Sequence, residues 1–240
     1  MRLDKYLHDL GYGSRREITR LLARQTVTVD GVRVKQGAAK VRPESVIAVD
    51  GEPLVYAPTV WLMLHKPAGV ITATEDAHQQ TVMDLLPERY ARMRVAPVGR
   101  LDKDTTGLLL LTNDGALAHR LLSPKRHVEK IYDVRYEEIL APDAVARCAA
   151  GIDLGDFTTA PALLELLEEG HCRLTLREGK YHQVKRMLHE LGGVVVELAR
   201  TGFGGLCLDA HLAPGAWRPL TDEEVALLAA QTTNQEGEPS

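Results

Sequence analysis

The sequence Gly99-Arg100-Leu101-Asp102-Lys103-Asp104-Thr105-Thr106-Gly107 leads directly into Leu108-Leu109-Leu110-Leu111. The apolar run has the length and continuity of a strand buried on both faces, and Asn113-Asp114-Gly115 ends it with turn-forming residues. A polar loop held against a buried strand is a rigid place for reactive groups. Asp102 is therefore a candidate catalytic carboxylate, although most loop aspartates only bond nearby backbone amides.

The same loop leaves a second interpretation open. The spacing of Asp102, Asp104 and Thr105 is similar to that of loops that supply an aspartyl-phosphate nucleophile in magnesium-dependent phosphatases. Those loops usually follow a hydrophobic strand and open a Rossmann-like sheet. Here the preceding residues 94–98 are few and are interrupted by Pro97, which fits that architecture poorly.

The composition favours a folded protein of one or two domains. The chain has 240 residues, of which 45% are hydrophobic, so a packed core can form. The cysteines Cys148, Cys172 and Cys207 are too scattered for a disulfide framework or a zinc motif. The first ten residues carry four charges, and no apolar run approaches membrane length. We therefore expect a cytoplasmic protein with no signal peptide, membrane span or metal site.

The N-terminal 54 residues are the basic part of a chain whose net charge is −4. They hold ten Lys or Arg and seven Asp or Glu, hence a net charge of +3. Apolar spacing predicts two short helices, the second beginning at Ser14, and Asp30-Gly31 between valine-rich runs predicts a hairpin. The second helix carries a row of arginines, Arg16, Arg20 and Arg24. Such rows are usually solvated, but mutually repelling arginines are better explained by a phosphate-bearing partner.

The rest of the chain is predicted to form a larger α+β domain. Residues 55–59 are interpreted as an extended linker containing Pro58, which would keep the module of residues 1–54 spaced from that domain rather than fused to it. Between residues 60 and 230, strands follow one another with few helices, which indicates a mixed, mainly antiparallel sheet flanked by helices. Residues 231–240 are acidic and polar, and we expect a disordered tail there.

A predicted helix over residues 180–191 has an unusual polar side. Its polar residues include His182, Lys185, Arg186 and His189, with Lys180 and Tyr181 at the start. A solvated helix face is the most common role for such residues, and a metal site lacks the carboxylate or cysteine that would complete it. A helix that contacts phosphates fits the clustered cations.

The N-terminal module resembles the alpha-L RNA-binding domain, which is shared by a small-subunit ribosomal protein and several RNA-modifying enzymes. The matching stretches are Arg2-Leu3-Asp4-Lys5-Tyr6, Ser14-Arg15-Arg16-Glu17 and Val27-Thr28-Val29-Asp30-Gly31. The resemblance implies that the module binds RNA through its second helix. The residues expected to do so are Arg15, Arg16, Arg20 and Arg24.

Residues 1–225 as a whole resemble the bacterial ribosomal pseudouridine synthases, and among these the small-subunit (16S rRNA) type most closely. Five stretches carry the likeness, in the family's order. They are Leu64-His65-Lys66-Pro67-Ala68-Gly69, then residues 99–108, then Glu129-Lys130-Ile131-Tyr132, then Glu178-Gly179-Lys180-Tyr181-His182-Gln183-Val184-Lys185-Arg186-Met187, and finally Leu212-Ala213-Pro214-Gly215 with Arg218-Pro219-Leu220-Thr221.

This resemblance implies a reaction and roles for three residues. The reaction breaks a uridine's glycosidic bond, turns the base and rejoins it through carbon 5, without a metal or any other cofactor. Asp102 would be the essential aspartate, Tyr132 would pack on the base, and Lys185 would pair with Asp102 to keep that carboxylate ionised. Whether Asp102 attacks the base, attacks the sugar or removes a proton stays open.

The resemblance also implies ribosomal RNA as the partner of a monomeric enzyme. Further residues expected to contact RNA are Arg100, Lys66, Lys130, Tyr181, His182 and Arg186. Two alternatives remain at this stage. The chain could modify large-subunit (23S) rRNA instead, or it could be an RNA-binding ribosome-assembly protein without catalysis.

Overall fold

The computed structural model describes residues 1–233, and its N-terminal part is a small module of two helices and one sheet. The helices are α1 (Leu3–Asp9) and α2 (Arg15–Arg24), and the strands are β1 (Val27–Val29), β2 (Val32–Arg33), β3 (Ile47–Val49) and β4 (Glu52–Leu54). The strands are antiparallel neighbours in the order β2-β1-β3-β4. Buried Leu3, Leu7, Ile18 and Ile47 join helices and sheet in one apolar core.

Local sequence determines where these elements begin and turn. Ser14 accepts the backbone N–H of Glu17, whose carboxylate accepts the backbone N–H of Ser14, so the predicted capping box at the start of α2 is confirmed. Asp30 and Gly31 both have positive φ, 53° and 79°, between β1 and β2. That backbone matches the right-handed twist of paired strands, and the predicted hairpin is confirmed.

The larger domain is built on a nine-stranded sheet. Its strands are β5 (Trp61–Lys66), β6 (Ala96–Pro97), β7 (Thr106–Thr112), β8 (Lys130–Glu137), β9 (Leu163–Glu168), β10 (His171–Leu176), β11 (Val194–Phe203), β12 (Leu206–Cys207) and β13 (Trp217–Pro219). The main path is β13-β5-β7-β11-β8-β10-β9, with β6 beside β7 and β12 beside β11. Only the β7–β11 pair is parallel among these strands, which confirms a mixed, mainly antiparallel sheet.

Helices cover both faces of this sheet. They are α3 (Glu88–Arg92), α4 (Gly115–Leu122), α5 (Ala144–Ala150), α6 (Gln183–Glu190) and α7 (Asp222–Ala230). Along β7, Leu109 and Leu111 face the core that includes α5 and α6, while Leu108 and Leu110 face the core that includes α4 and α7. The predicted burial of this strand on both faces is confirmed, and it gives the preceding loop a rigid base.

The two modules touch, so the expected spacing between them is wrong. The linker folds back because the ring of Tyr56 packs 4.9 Å from that of Tyr6 and its hydroxyl donates to Asp9 at 2.7 Å. Arg92 of α3 donates to the backbone oxygen of Tyr12 at 3.4 Å. The turn between α1 and α2 therefore rests against α3.

The chain continues briefly past α7. The hydroxyl of Thr232 donates to the backbone oxygen of Ala229 at 2.8 Å and accepts from Nε of Arg120 at 3.4 Å, so buried Thr232 is packed against the domain. The remainder of the expected disordered tail, residues 234–240, lies outside the described residues. Within residues 1–233, no helix has the length and apolar character needed to cross a membrane.

Candidate active site

The loop of residues 99–107 is fixed from beneath by two buried side chains. Lys66, at the end of β5, donates to the backbone oxygens of Pro67, Lys103 and Thr105 at 3.0, 3.2 and 2.9 Å. The hydroxyl of Thr72 donates to the backbone oxygen of Leu101 at 2.8 Å and accepts that residue's N–H at 3.2 Å. These bonds hold the backbone on both sides of Asp102, which gives its carboxylate a defined position.

Lys66 is thus a structural residue, and its expected contact with RNA is wrong. Its side chain is fully buried, and its ammonium is enclosed by the carbonyls of the loop. Burial lowers the pKa of Lys66 to about 8, while the carboxylates of Asp104 and Asp102 act in the opposite direction. A lysine in this place supplies the hydrogen-bond donors for carbonyl groups of a turn that water does not reach.

Gly107 lets this loop enter the sheet beside β11. Its φ is 102°, and an added Cβ atom would lie 2.2 Å from the backbone oxygen of Arg200. Gly107 pairs with Arg200 in the parallel β7–β11 ladder, and Arg200 pairs with Tyr132 in the antiparallel β11–β8 ladder. The sheet therefore places Gly107, at the end of the loop, and Tyr132 on opposite sides of Arg200.

The three residues predicted to be catalytic line one cleft of about 870 Å³. Asp102 comes from the loop, Tyr132 from β8 and Lys185 from α6. Tyr132 is 8% exposed and forms part of the floor, whereas the side chain of Asp102 keeps 33% of its surface exposed. The volume lies in the range of roughly 300–1,000 Å³ that is usual for small-ligand sites. An aromatic face and a carboxylate in such a cleft suit a base that has been turned out of its stack.

Lys185 bonds to Asp104, so the expected pairing with Asp102 is not the one that forms. Its ammonium donates to both carboxylate oxygens of Asp104, at 2.7 and 2.6 Å. This hydrogen bond holds the pKa of Asp104 below its usual range. The basic side chain close to Asp102 is instead His182, whose Nε2 lies 3.6 Å from Oδ1 of that aspartate. His182 carries charge only when it is protonated.

The start of α6 explains this exchange of partners. The helix begins at Gln183 rather than at residue 180, because His182 adopts a left-handed backbone with a φ of 49°. His182 therefore leaves the helix face on which its spacing to Lys185 had placed it, and it turns toward the loop. The ring of Tyr181 stacks on that of His182 at 3.8 Å and is 77% exposed.

The other predicted RNA contacts divide into cleft and surface residues. Arg100, Lys130, Tyr181 and His182 line the cleft. Arg186 is outside its lining and is engaged by the carboxylate of Asp156 and, at 2.9 Å, by the backbone oxygen of Leu154. The four arginines of α2 are exposed on the N-terminal module and lie outside this cleft. They are Arg15, Arg16, Arg20 and Arg24.

Arg200 is a cleft residue that the sequence motifs missed. It is 2% exposed, and its Nε donates to the backbone oxygen of Leu108 at 2.8 Å. Its guanidinium carbon lies 5.3 Å from the ring centre of Phe203, and Nζ of Lys130 lies 5.6 Å from the same centre. In the sequence Arg200 stands between Ala199 and Thr201 in a strand that also contains Glu197, so the local pattern does not indicate its burial.

Fold and cleft together define an RNA-modifying enzyme with an accessory domain. Residues 60–190 match the RNA pseudouridylate synthase family, and residues 1–47 match the S4 domain. The chain belongs to the RNA pseudouridylate synthase family, and it carries an S4 domain at its N-terminal end. The family predicted from the sequence motifs is confirmed, and the phosphatase interpretation of the loop is set aside.

Similar proteins extend the match to nearly the whole chain. The chain is 46% identical to the uncharacterized RNA pseudouridine synthase YtzG of Bacillus subtilis, over 95% of this chain and 98% of that protein. It is 45% identical to ribosomal small subunit pseudouridine synthase A of Escherichia coli K12, over 94% and 99%. A crystal structure described as a pseudouridylate synthase, 37% identical, superposes with a TM-score of 0.68 and covers 95% of this chain and 99% of its own.

Proposed function

We propose that this enzyme converts one specific uridine of small-subunit (16S) ribosomal RNA to pseudouridine, with Asp102 as a catalytic residue. The support for this substrate is the match to relatives of about 45% identity that are named ribosomal small subunit pseudouridine synthase A. The observation that carries the catalytic assignment is the placement of Asp102 and Tyr132 in one cleft, on a loop and a strand that the sheet holds together.

The residues of the cleft fit the steps of this isomerisation. A uridine turned out of its stack would place its base against the ring of Tyr132. The N1–C1′ bond breaks, the base rotates, and a C5–C1′ bond forms. C5 then loses its proton and N1 gains one, so that the atoms balance without a cofactor. Asp102 can act as the nucleophile or as the base that removes this proton, and both roles require an ionised carboxylate.

The two neighbouring basic residues have different roles in this proposal. Lys185 is a positioning residue, because it holds the loop through Asp104 rather than through Asp102. His182 faces Asp102, with its Nε2 3.6 Å from Oδ1 of the carboxylate, and so orients that side chain in the cleft. The stacked ring of Tyr181 keeps His182 in this orientation and offers an exposed aromatic surface to a neighbouring base.

The S4 domain would add affinity and place the RNA. The exposed arginines of α2 provide a positive surface for phosphate groups. Because a single chain supplies Asp102, Tyr132 and Lys185 to the cleft, we propose that the enzyme acts as a monomer. With ribosomal RNA as its substrate, the enzyme would work in the cytoplasm.

The decisive experiment compares Asp102→Asn with the wild type on 16S rRNA and on partly assembled small subunits. Asparagine keeps the shape of the side chain and removes its charge, so pseudouridine formation should fall by about 10²–10⁴-fold. Asp153→Asn, in an exposed loop outside the cleft, is the matched control and should stay active. If Asp102→Asn retains the activity of this control, Asp102 is not catalytic. Modification of 23S rRNA alone would refute the proposed substrate.

A further inference from the structure

The floor of the cleft contains two cations that the chemistry above does not use, the buried Arg200 and the half-buried Lys130. Arg200 is the residue of β11 opposite Tyr132, and Lys130 is the residue of β8 opposite Phe203. Side chains of directly opposed residues in an antiparallel pair lie on the same face of the sheet. Both cations line the cleft that also contains Asp102.

The hydrogen-bonding capacity of this pair is only partly used. Nε of Arg200 bonds to the backbone oxygen of Leu108, but its buried Nη2 has no hydrogen-bond partner within residues 1–233. Nζ of Lys130 donates to the backbone oxygen of Val128 at 3.0 Å. In the same part of the chain, neither cation has a carboxylate within 4.0 Å.

A buried charge without an anionic partner is costly, and a second, half-buried cation beside it adds to that cost. Burial and the charge of Arg200 together lower the pKa of Lys130 to about 8, and the charge of Glu178 acts in the other direction. Such an arrangement is destabilising for the free protein. It becomes favourable when an anion enters the cleft and accepts hydrogen bonds from both side chains.

RNA brings one such anion with every nucleotide, namely its phosphodiester group. The uracil base is neutral and has only carbonyl oxygens to offer, whereas two non-bridging phosphate oxygens match a guanidinium N–H and an ammonium group. The aromatic ring of Phe203 keeps both cations in place from the protein side, since it lies within 6 Å of each.

We propose that Arg200 and Lys130 form a binding subsite for one phosphodiester that flanks the uridine in the cleft. This subsite rests on the proposed function, because it presupposes an RNA nucleotide against Tyr132. Its place beside Tyr132 gives it a second role: a phosphate anchored at Arg200 fixes the ribose, and with it the glycosidic bond, relative to the loop of Asp102.

The test uses short rRNA fragments that contain the uridine to be converted. In each fragment a neutral methylphosphonate replaces one phosphodiester linkage. Wild-type enzyme should lose about tenfold in affinity for the fragment that is neutral at one of the two linkages flanking the uridine. Arg200→Gln and Lys130→Gln should show a similar loss, mainly in KM, with the unmodified fragment. With the fragment that is neutral at that same linkage, neither variant should lose further affinity relative to the unmodified fragment.

Arg135→Gln is the matched control, since this arginine lies on β8 outside the cleft and pairs with Glu168 on the surface. If the effects of Arg200→Gln and of the neutral linkage multiply, or if the variant changes kcat alone, the phosphate subsite is refuted. Should Arg200→Gln fail to fold, Lys130→Gln gives the same comparison. Binding is measured by fluorescence anisotropy, so a wild-type enzyme that binds but never forms pseudouridine would refute the proposed function and not the subsite.

Discussion

Lys185 and Asp104 form a two-pronged ion pair, with the lysine Nζ at 2.7 and 2.6 Å from the two carboxylate oxygens. The pair joins α6 to the loop two residues beyond Asp102. The helix and the loop come from distant parts of the chain, and this contact fixes the distance between them in the folded protein. The orientation of Asp102 in the cleft therefore depends on a side chain that need not touch the substrate.

This relationship predicts that Lys185→Met and Asp104→Asn impair the enzyme to a similar extent. Each change frees the loop from α6, and a misplaced reacting group costs on the order of 10²-fold in rate. The double variant should be no worse than either single variant, because both remove the same contact. Since Asp104 is 71% exposed, the loss of folding stability should stay within about 1 kcal/mol.

Single-turnover conversion of an rRNA fragment by the four proteins measures this coupling. Thermal unfolding of each variant serves as the control for stability. A Lys185→Met enzyme far less active than Asp104→Asn would show that the lysine acts on Asp102 directly, as the motif resemblance first implied.

The sequence predicted those parts of the site that depend on local pattern. The apolar run before Thr112 predicted a buried strand, and the motif around Asp102 predicted a loop whose carboxylate lines the cleft. The partner of Lys185 could not be predicted, because it depends on the left-handed backbone of His182, which shifts the start of α6. Spacing along an ideal helix does not include such a residue.

The burial of charged residues could likewise not be predicted from the sequence. Lysines beside loops are nearly always exposed, and nothing in the chain around Lys66 shows that the carbonyls of a loop 37 residues away will surround it. Arg200 was missed for the same reason, since its importance comes from the strands on either side of it. Both residues were placed by tertiary contacts rather than by local propensity.

A second prediction separates the structural role of Lys66 from RNA binding. Lys66→Met should lower the free energy of unfolding by about 1–3 kcal/mol, because the carbonyls of Pro67, Lys103 and Thr105 lose their buried donor. Lys103→Met, on the exposed side of the same loop, should leave stability nearly unchanged. Chemical denaturation measures both. A Lys66→Met protein with normal stability and weak RNA binding would contradict this prediction and support a direct contact between Lys66 and RNA.

A third prediction concerns pH and follows from the lowered pKa of Lys130. Its ammonium is protonated below about pH 8 and neutral above it, and only the charged form attracts a phosphate. RNA affinity should therefore fall as the pH rises through about 8, because the charge on Lys130 is lost. Anisotropy titrations between pH 7 and 9 would show this step. The step should be absent in Lys130→Gln; if it persists there, the titration of Lys66, whose pKa is also about 8, is its source.

The S4 domain provides a fourth prediction. Replacing Arg16, Arg20 and Arg24 of α2 together by glutamine should weaken RNA binding without changing the fold, because all three side chains are exposed. Each phosphate that the variant no longer neutralises should reduce the slope of log K against log salt concentration by about 0.7–0.9. Arg42→Gln is a control on the same domain, since this exposed arginine lies outside α2. An unchanged salt slope in the triple variant would mean that α2 does not contact the RNA backbone.

The last prediction tests the backbone junction that brings the loop of Asp102 into the sheet. Gly107→Ala would force a Cβ atom to 2.2 Å from the backbone oxygen of Arg200, at a φ of 102° that side chains rarely adopt. The neighbour is backbone in the central β11 strand and cannot move aside. The variant should therefore unfold at a much lower denaturant concentration, or fail to fold. Gly115→Ala, where an added Cβ meets nothing within 4 Å at the start of α4, should keep or slightly raise stability. If the two variants are equally stable, Gly107 does not fix the register between β7 and β11, and the position of Asp102 must then be set by Lys66, Thr72 and the Lys185–Asp104 pair.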